Sequence, residues 1–219
     1  MQDNSSAIVR TTTDLTKSFA GGDQSDVSMM VGIGLIKDSD AVFFQYVGNE
    51  QPPVALIKPN SGRPLTRLSN VTLTGISVAE NVGSFNSTKL NVYIKAQDGT
   101  TMMITSGLSS LWSQYCMTGL VALFSSHPTD TLFHLDTWRG TSAKRPCFAA
   151  IRSNGIKFND EKLKEQLLDA KADKDEDRTD TLMRSAVEAI RIALAGNAPQ
   201  PVDVQVLPPN VDPEAAEIF

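Results

Sequence analysis

The sequence predicts a mainly β body, followed by a helical segment and an extended acidic tail. Three observations carry this. Short apolar stretches alternate with polar residues through most of the chain, the hydrophobic period becomes helical after Phe158, and the last 23 residues hold five prolines and no Lys or Arg. With 219 residues, 41% of them hydrophobic and 21% charged, 14 Gly and 11 Pro, the composition is that of one globular core with appendages. Collagen-like, wholly disordered and coiled-coil chains do not fit it. No apolar run approaches the roughly 18 residues of a membrane span, and residues 1–20 show no basic start followed by a hydrophobic segment. An intracellular, cytoplasmic protein is expected. Cys116 and Cys147, the two cysteines, lack the paired spacing of a zinc site and are expected to be reduced core residues.

Residues 1–27, rich in Ser, Thr, Asp, Gln and Gly, read as a mobile leader. The body, 28–157, opens with MMVGIGLI and AVFFQYV, a hairpin around the polar turn Lys37 to Asp40. A proline-rich loop follows from Gly48 to Arg67. In VTLTGISV the apolar phase moves from Val71 and Leu73 to Ile76 and Val78 just after Gly75, which predicts a bulge or bend within one strand. Leu90, Val92, Ile94 and Ala96 then alternate with Lys89, Asn91, Tyr93 and Lys95, and Asp98-Gly99 supplies a tight turn into TTMMIT. If that turn has two residues, Met102 pairs with Lys95 and Ile104 with Tyr93. Leu108, Leu111, Trp112, Tyr115 and Cys116 form one stripe of a helix of about two to three turns that Gly119 ends. LVALF, TLFHLDTW and PCFAAI follow as β-like runs.

In the helical segment, 158–196, Asn159-Asp160-Glu161 can cap a helix through LKEQLLDAKA, and a second helix is expected from Thr181 to Ala195. Leu182, Ala186, Ile190, Ala193 and Leu194 make its apolar side, with the link KADKDEDRTD solvated. Two uses are open to such a pair, packing on the body or a subunit contact in a homo-oligomer, and ordinary amphipathicity favours packing. The tail, 197–219, has too little to bury and is expected to be disordered.

The order of a bent strand, a hairpin, a short helix and further strands over about residues 69–138 resembles the OB-fold barrel, which binds oligonucleotides and oligosaccharides. A small sandwich or another half-open barrel would give much the same string.

The formal net charge of -5 conceals a division. Residues 58–157 hold ten Lys and Arg against four Asp and Glu, and residues 158–219 hold seven against fourteen. That asymmetry suggests a polyanion-binding body joined to an acidic tail. No P-loop is present, Gly32-Ile33-Gly34 lacks the third glycine of a dinucleotide site, and Gly107-Leu108-Ser109-Ser110-Leu111 lacks the second glycine of a nucleophile elbow. His127 and His134 lie in no metal motif, and Glu80, Asp98, Asp130 and Asp136 are the only acids in the basic stretch. No enzyme, metal or cofactor is therefore expected, a small hydrolase being the remote alternative.

Nucleic-acid binding has more support. Lys89, Tyr93 and Lys95 put cations and a ring on one strand face, the combination that single-strand binding requires. The competing use of that face is burial under the Met29 to Val47 hairpin. Phe85, in the loop NVGSFNST, is a second ring that could stack on a base or fold back onto the body. Arg139, Lys144, Arg145 and Arg152 cluster near Trp138 around the loop RGTSAKRP, a pattern suited to a backbone clamp or merely to a soluble loop. Arg63 and Arg67 are weaker candidates of the same kind, and Trp112 is assigned to the core.

The closing residues, Asp212-Pro213-Glu214-Ala215-Ala216-Glu217-Ile218-Phe219, resemble the acidic tips of bacterial single-stranded DNA-binding proteins and of functionally similar phage proteins. The resemblance implies that Asp212, Glu214, Glu217, Ile218 and Phe219 recruit replication, recombination and repair proteins. It also implies a nucleoid-associated protein of a bacterial or phage-infected cell. Two alanines and Ile218 depart from the family tip, which usually has consecutive aspartates and a proline directly before the Phe. A phage or bacterial assembly protein, and an RNA-binding module, remain alternatives.

Overall fold

The computed structural model describes residues 27–34, 39–48, 51–83, 86–142 and 144–196. Nine strands and three helices follow one another as β1 (Met29–Ile33), β2 (Phe43–Gln45), β3 (Val54–Ala55), β4 (Arg67–Val82), β5 (Ser87–Ala96), β6 (Thr101–Gly107), α1 (Leu111–Phe124), β7 (Phe133–Arg139), β8 (Cys147–Ser153), β9 (Ile156–Phe158), α2 (Glu161–Ala172) and α3 (Glu176–Leu194). The strands form one mixed sheet in the order β3-β2-β1-β6-β5-β4-β7-β8-β9, in which only β1 and β6 run parallel. Among the described residues the sheet is open, since β3 and β9 do not meet, and the closed form of the expected barrel is not observed.

The β1–β2 hairpin is present, with Val31 opposite Gln45 and Ile33 opposite Phe43. β4 bends as the glycine suggested. It faces β7 with Arg67, Leu68 and Val71 and β5 from Val71 onward, and the β5 ladder slips between Leu73 and Gly75. The Tyr93 ring lies over Gly75, where an added Cβ would sit 3.3 Å from it. A bulge in a long strand raises local twist, so one strand can turn between two neighbours.

The β5–β6 connection differs from a two-residue turn. Ala96 and Thr100 close a loop whose last residue, Gly99, has φ +88°, the left-handed position of a three-residue hairpin. Thr101 therefore pairs with Lys95, and Met103 with Tyr93. One residue of register exchanges the faces of a strand, so Met102 and Ile104 point into the core and Met103 and Thr105 point away from it.

Helix α1 runs through Gly119 and takes up LVALF, which the sequence pattern assigns to a strand. Gly119 is there for closeness. A Cβ at that position would lie 2.6 Å from Cγ1 of Ile151 on β8, so the missing side chain lets helix and sheet approach. Ser110 caps the helix, accepting the Ser113 N–H at 3.2 Å. Trp112, 1% exposed, is a core residue as assigned and donates its indole N–H to Thr137 Oγ1 at 3.0 Å. Cys116 is buried in the same core, and burial pushes its thiol up to about 12.

Strand β9 is added by Asn154-Gly155, both at positive φ, a tight-turn signal that the sequence reading leaves unused. Asp160 caps α2 through the Leu163 N–H at 2.7 Å. Asp175 caps α3 through the Arg178 N–H at 2.8 Å, so α3 starts at Glu176, and part of the supposedly solvated link is helix. Leu163 and Leu167 of α2, and Leu182, Met183, Ala186, Val187 and Ile190 of α3, join α1 and the sheet in one core. Both helices thus pack on the body, and Arg184 of α3 reaches Glu80 of β4 at 2.6 Å. No helix among the described residues is long and apolar enough to cross a membrane.

Candidate functional site

Side chains alternate across a strand, so β7 carries His134, Asp136 and Trp138 on the face turned away from Phe133 and Leu135, which are buried in the core. Cross-strand register brings Arg67 of β4 opposite Asp136, and Arg152 and Phe148 of β8 opposite His134 and Trp138. Asp136, 16% exposed at its side chain, accepts from both cations: from the Arg67 guanidinium by two hydrogen bonds and from Arg152 Nε at 3.0 Å. Burial pulls its carboxyl upward, and the bonds and charges of Arg67 and Arg152 outweigh that and hold it below the usual carboxylate range. Two cations share one anion here, which leaves a net positive charge on the face. Asn70, at φ +53° where the β4–β7 ladder slips, gives its N–H to His134 Nδ1 at 3.2 Å and so anchors the imidazole.

Trp138 is 40% exposed, the only aromatic among the exposed large hydrophobic residues described. Its ring stacks on Phe148 with centroids 5.9 Å apart and planes 20° apart, and Phe148 meets Tyr115 of α1 edge-on at 5.4 Å. The outer face of β4, β7 and β8 therefore holds an open ring beside two guanidinium groups. Arg152 also lies opposite Lys157 of β9, which is exposed, so a third cation borders it.

Several sequence candidates lie elsewhere. Tyr93 is 3% exposed, packed with Met30, Met103, Val27 and Tyr46, and burial raises its hydroxyl pKa. This corrects the expected open ring: residues at the ends of the β1–β2 hairpin pack on it, so the covered alternative holds for Tyr93. Lys89 is half-buried and Lys95 exposed, near opposite ends of β5. Arg63 is exposed in the turn after β3, where its carbonyl accepts the Lys58 N–H at 2.8 Å.

Arg139 is a correction of a different kind. Its guanidinium donates to the carbonyls of Ser39 at 3.1 Å, Gly34 at 3.2 Å and Ala41. Those residues flank the β1–β2 turn, yet β6, β5 and β4 separate β1 from β7 in the sheet. The side chain thus ties the curled sheet across its open side, with both terminal nitrogens committed to carbonyls and Nε buried, away from any phosphate. Arg145, at φ +42°, makes a parallel tie to Asp40 at 3.1 Å, both exposed. Lys144 is exposed and lines a cavity of about 710 Å³ with the start of α1 and the α2–α3 junction. Phe85 and the tip residues Asp212, Glu214, Glu217, Ile218 and Phe219 lie outside the described residues.

Sequence reasoning misses Phe148, Tyr115 and the bridging role of Asp136. Alternation in TLFHLDTW puts Asp136 and Trp138 on one face, but their partners depend on the register with β8, which no local pattern specifies. Among the described residues no group of three His, Cys, Asp or Glu is placed to hold a metal ion. Protein-family models, curated proteins and solved structures offer no match to this chain.

Proposed function

We propose that the chain is a non-catalytic, largely sequence-independent single-stranded DNA-binding protein, with an OB-like body and a C-terminal tip that recruits partners in replication, recombination or repair. The observation that carries this reading is the Trp138–Phe148 stack beside Arg67 and Arg152 on one outer sheet face. A single strand exposes base faces and phosphates together, and stacking rings with cations satisfy both at any sequence. The OB-like assignment draws support from the β4-β5-β6 meander, followed by α1 and by β7 returning to pair with β4, and from the curl that Arg139 spans. The tip assignment rests on its acids and terminal Phe219.

Fluorescence anisotropy of a labelled oligo-dT at two salt concentrations, with a duplex of equal length as competitor, tests the proposal. Salt-sensitive binding that prefers the single strand is the expected result; no binding at low salt overturns it. Asp136→Asn sharpens the test. It removes the negative charge that the two guanidinium groups share and one of their two acceptor oxygens, so affinity at low salt should rise and the salt dependence should steepen by about 0.7 for each additional phosphate neutralised on a single strand. Linkage gives the matching stability trend. The folded-state pKa of Asp136 is depressed, so its contribution is present above the unfolded carboxylate value near 4 and is lost as pH falls through the lower folded value.

A second reading, a subunit of an assembly, draws on the exposed apolar residues at the two sheet edges, Val54 at 51% and Ile57 at 53% near β3 and Ile156 at 62% on β9. A large oligomer in light scattering without nucleic acid would favour it.

A further inference from the structure

The aromatic series does not stop at the sheet. Phe148, which stacks on Trp138, also lines a groove between α1 and α2 with Tyr115, Leu167 and Leu168, and Lys164 and Lys171 stand at its sides. The cavity there is about 190 Å³, smaller than the roughly 300 to 1,000 Å³ of a drug-sized pocket and suited to a single ring. None of its described lining residues is acidic, and Leu168 is 52% exposed on an otherwise polar helix surface. Lys171 also lines the neighbouring 710 Å³ cavity, where Lys144 and Lys174 stand with the acids Asp175 and Glu176, so three of the five charged residues between the β7–β8 loop and the groove are cations. Lys164 pairs with Glu161 at 3.0 Å, and both are solvent-exposed, so the pair is weak and its exchange for a phosphate costs little.

We infer that the α1–α2 groove is a second contact for the same single strand, seating one base against Tyr115 and Phe148 while Lys164 and Lys171 hold the flanking phosphates. This rests on the single-strand reading and extends it from the sheet face onto the helices. A strand crossing Trp138 would reach the groove through Phe148, whose ring touches both sites. Charge complementarity with a polyanion and continuity through that shared ring favour a nucleic-acid strand as the occupant. The chain's own acidic tail has related chemistry and is the competing occupant.

The full-length protein with Lys164→Ala and Lys171→Ala together, both at the surface, is titrated with labelled oligo-dT beside wild type and Trp138→Ala. Affinity should fall about tenfold in the lysine variant, with a salt dependence shallower by about 1.4, the value of two phosphate contacts on a single strand. Loss of binding in Trp138→Ala with no change in the lysine variant overturns the groove assignment and leaves the sheet-face reading standing. Tighter binding in the lysine variant overturns it in favour of the acidic tail. No binding by wild type at low salt removes both.

Discussion

Replacing Trp138 with alanine is expected to weaken oligo-dT binding by about 5- to 150-fold, the equivalent of about 1 to 3 kcal/mol for one stacked base. The ring is 40% exposed and rests on Phe148 at the surface, so its loss should cost the fold only about 1 kcal/mol, the value of one aromatic pair. Trp138→Phe keeps a ring on Phe148 and should retain most of the affinity. The salt dependence discriminates further. Trp138 carries no charge, so its removal should lower affinity equally at both salt concentrations, whereas Arg67→Ala or Arg152→Ala should make the dependence shallower. Wild-type affinity in Trp138→Ala would refute the stacking site on the sheet face, where Trp138 is the exposed aromatic residue.

Arg139→Ala should lower stability by about 3 kcal/mol, the upper range for hydrogen bonds to a charged group, and the measurement is the midpoint of urea unfolding. Three carbonyls, of Gly34, Ser39 and Ala41, lose their donor at once, and the β1–β2 turn loses its tie to β7. Arg139→Lys retains the charge, but a single ammonium cannot match a planar fork spread over three acceptors, so it should recover only part of the loss. An unchanged midpoint in Arg139→Ala would show that the tie carries no weight. The salt dependence of oligo-dT binding by the folded variant should remain that of wild type, since this guanidinium faces carbonyls and touches no phosphate in the proposed complex.

These two residues show how far the sequence can be followed. Spacing alone groups Trp138, Arg139 and Arg152 as one basic cluster beside a ring. Strand alternation separates them. Trp138 faces outward with Arg152, and Arg139 turns inward to a hairpin about 100 residues earlier in the chain, Ala41 being 98 residues away and Gly34 105. The same kind of alternation puts Tyr93 on the face opposite Val92 and Ile94, and that parity is correct. What no local pattern contains is the parallel pairing of β1 with β6, which brings Met30 beside Met103 and helps to bury the ring. Gly119 misleads for a related reason. A glycine reads as a helix end locally, and only the position of Ile151 on β8 shows it to be a contact point.

By itself, the sequence determined the mainly β body, the bulge at Gly75, the two amphipathic helices after Phe158 with the cap of the first, and the division of charge, because each depends on residues within a few positions of one another or on composition. The tertiary structure alone decided which cations face each other across Asp136, that the sheet stays open and is spanned by Arg139, and that Tyr93 is enclosed while Trp138 is not. Those outcomes depend on register and on contacts between distant strands, where a shift of one residue exchanges the buried face of a strand for its exposed one.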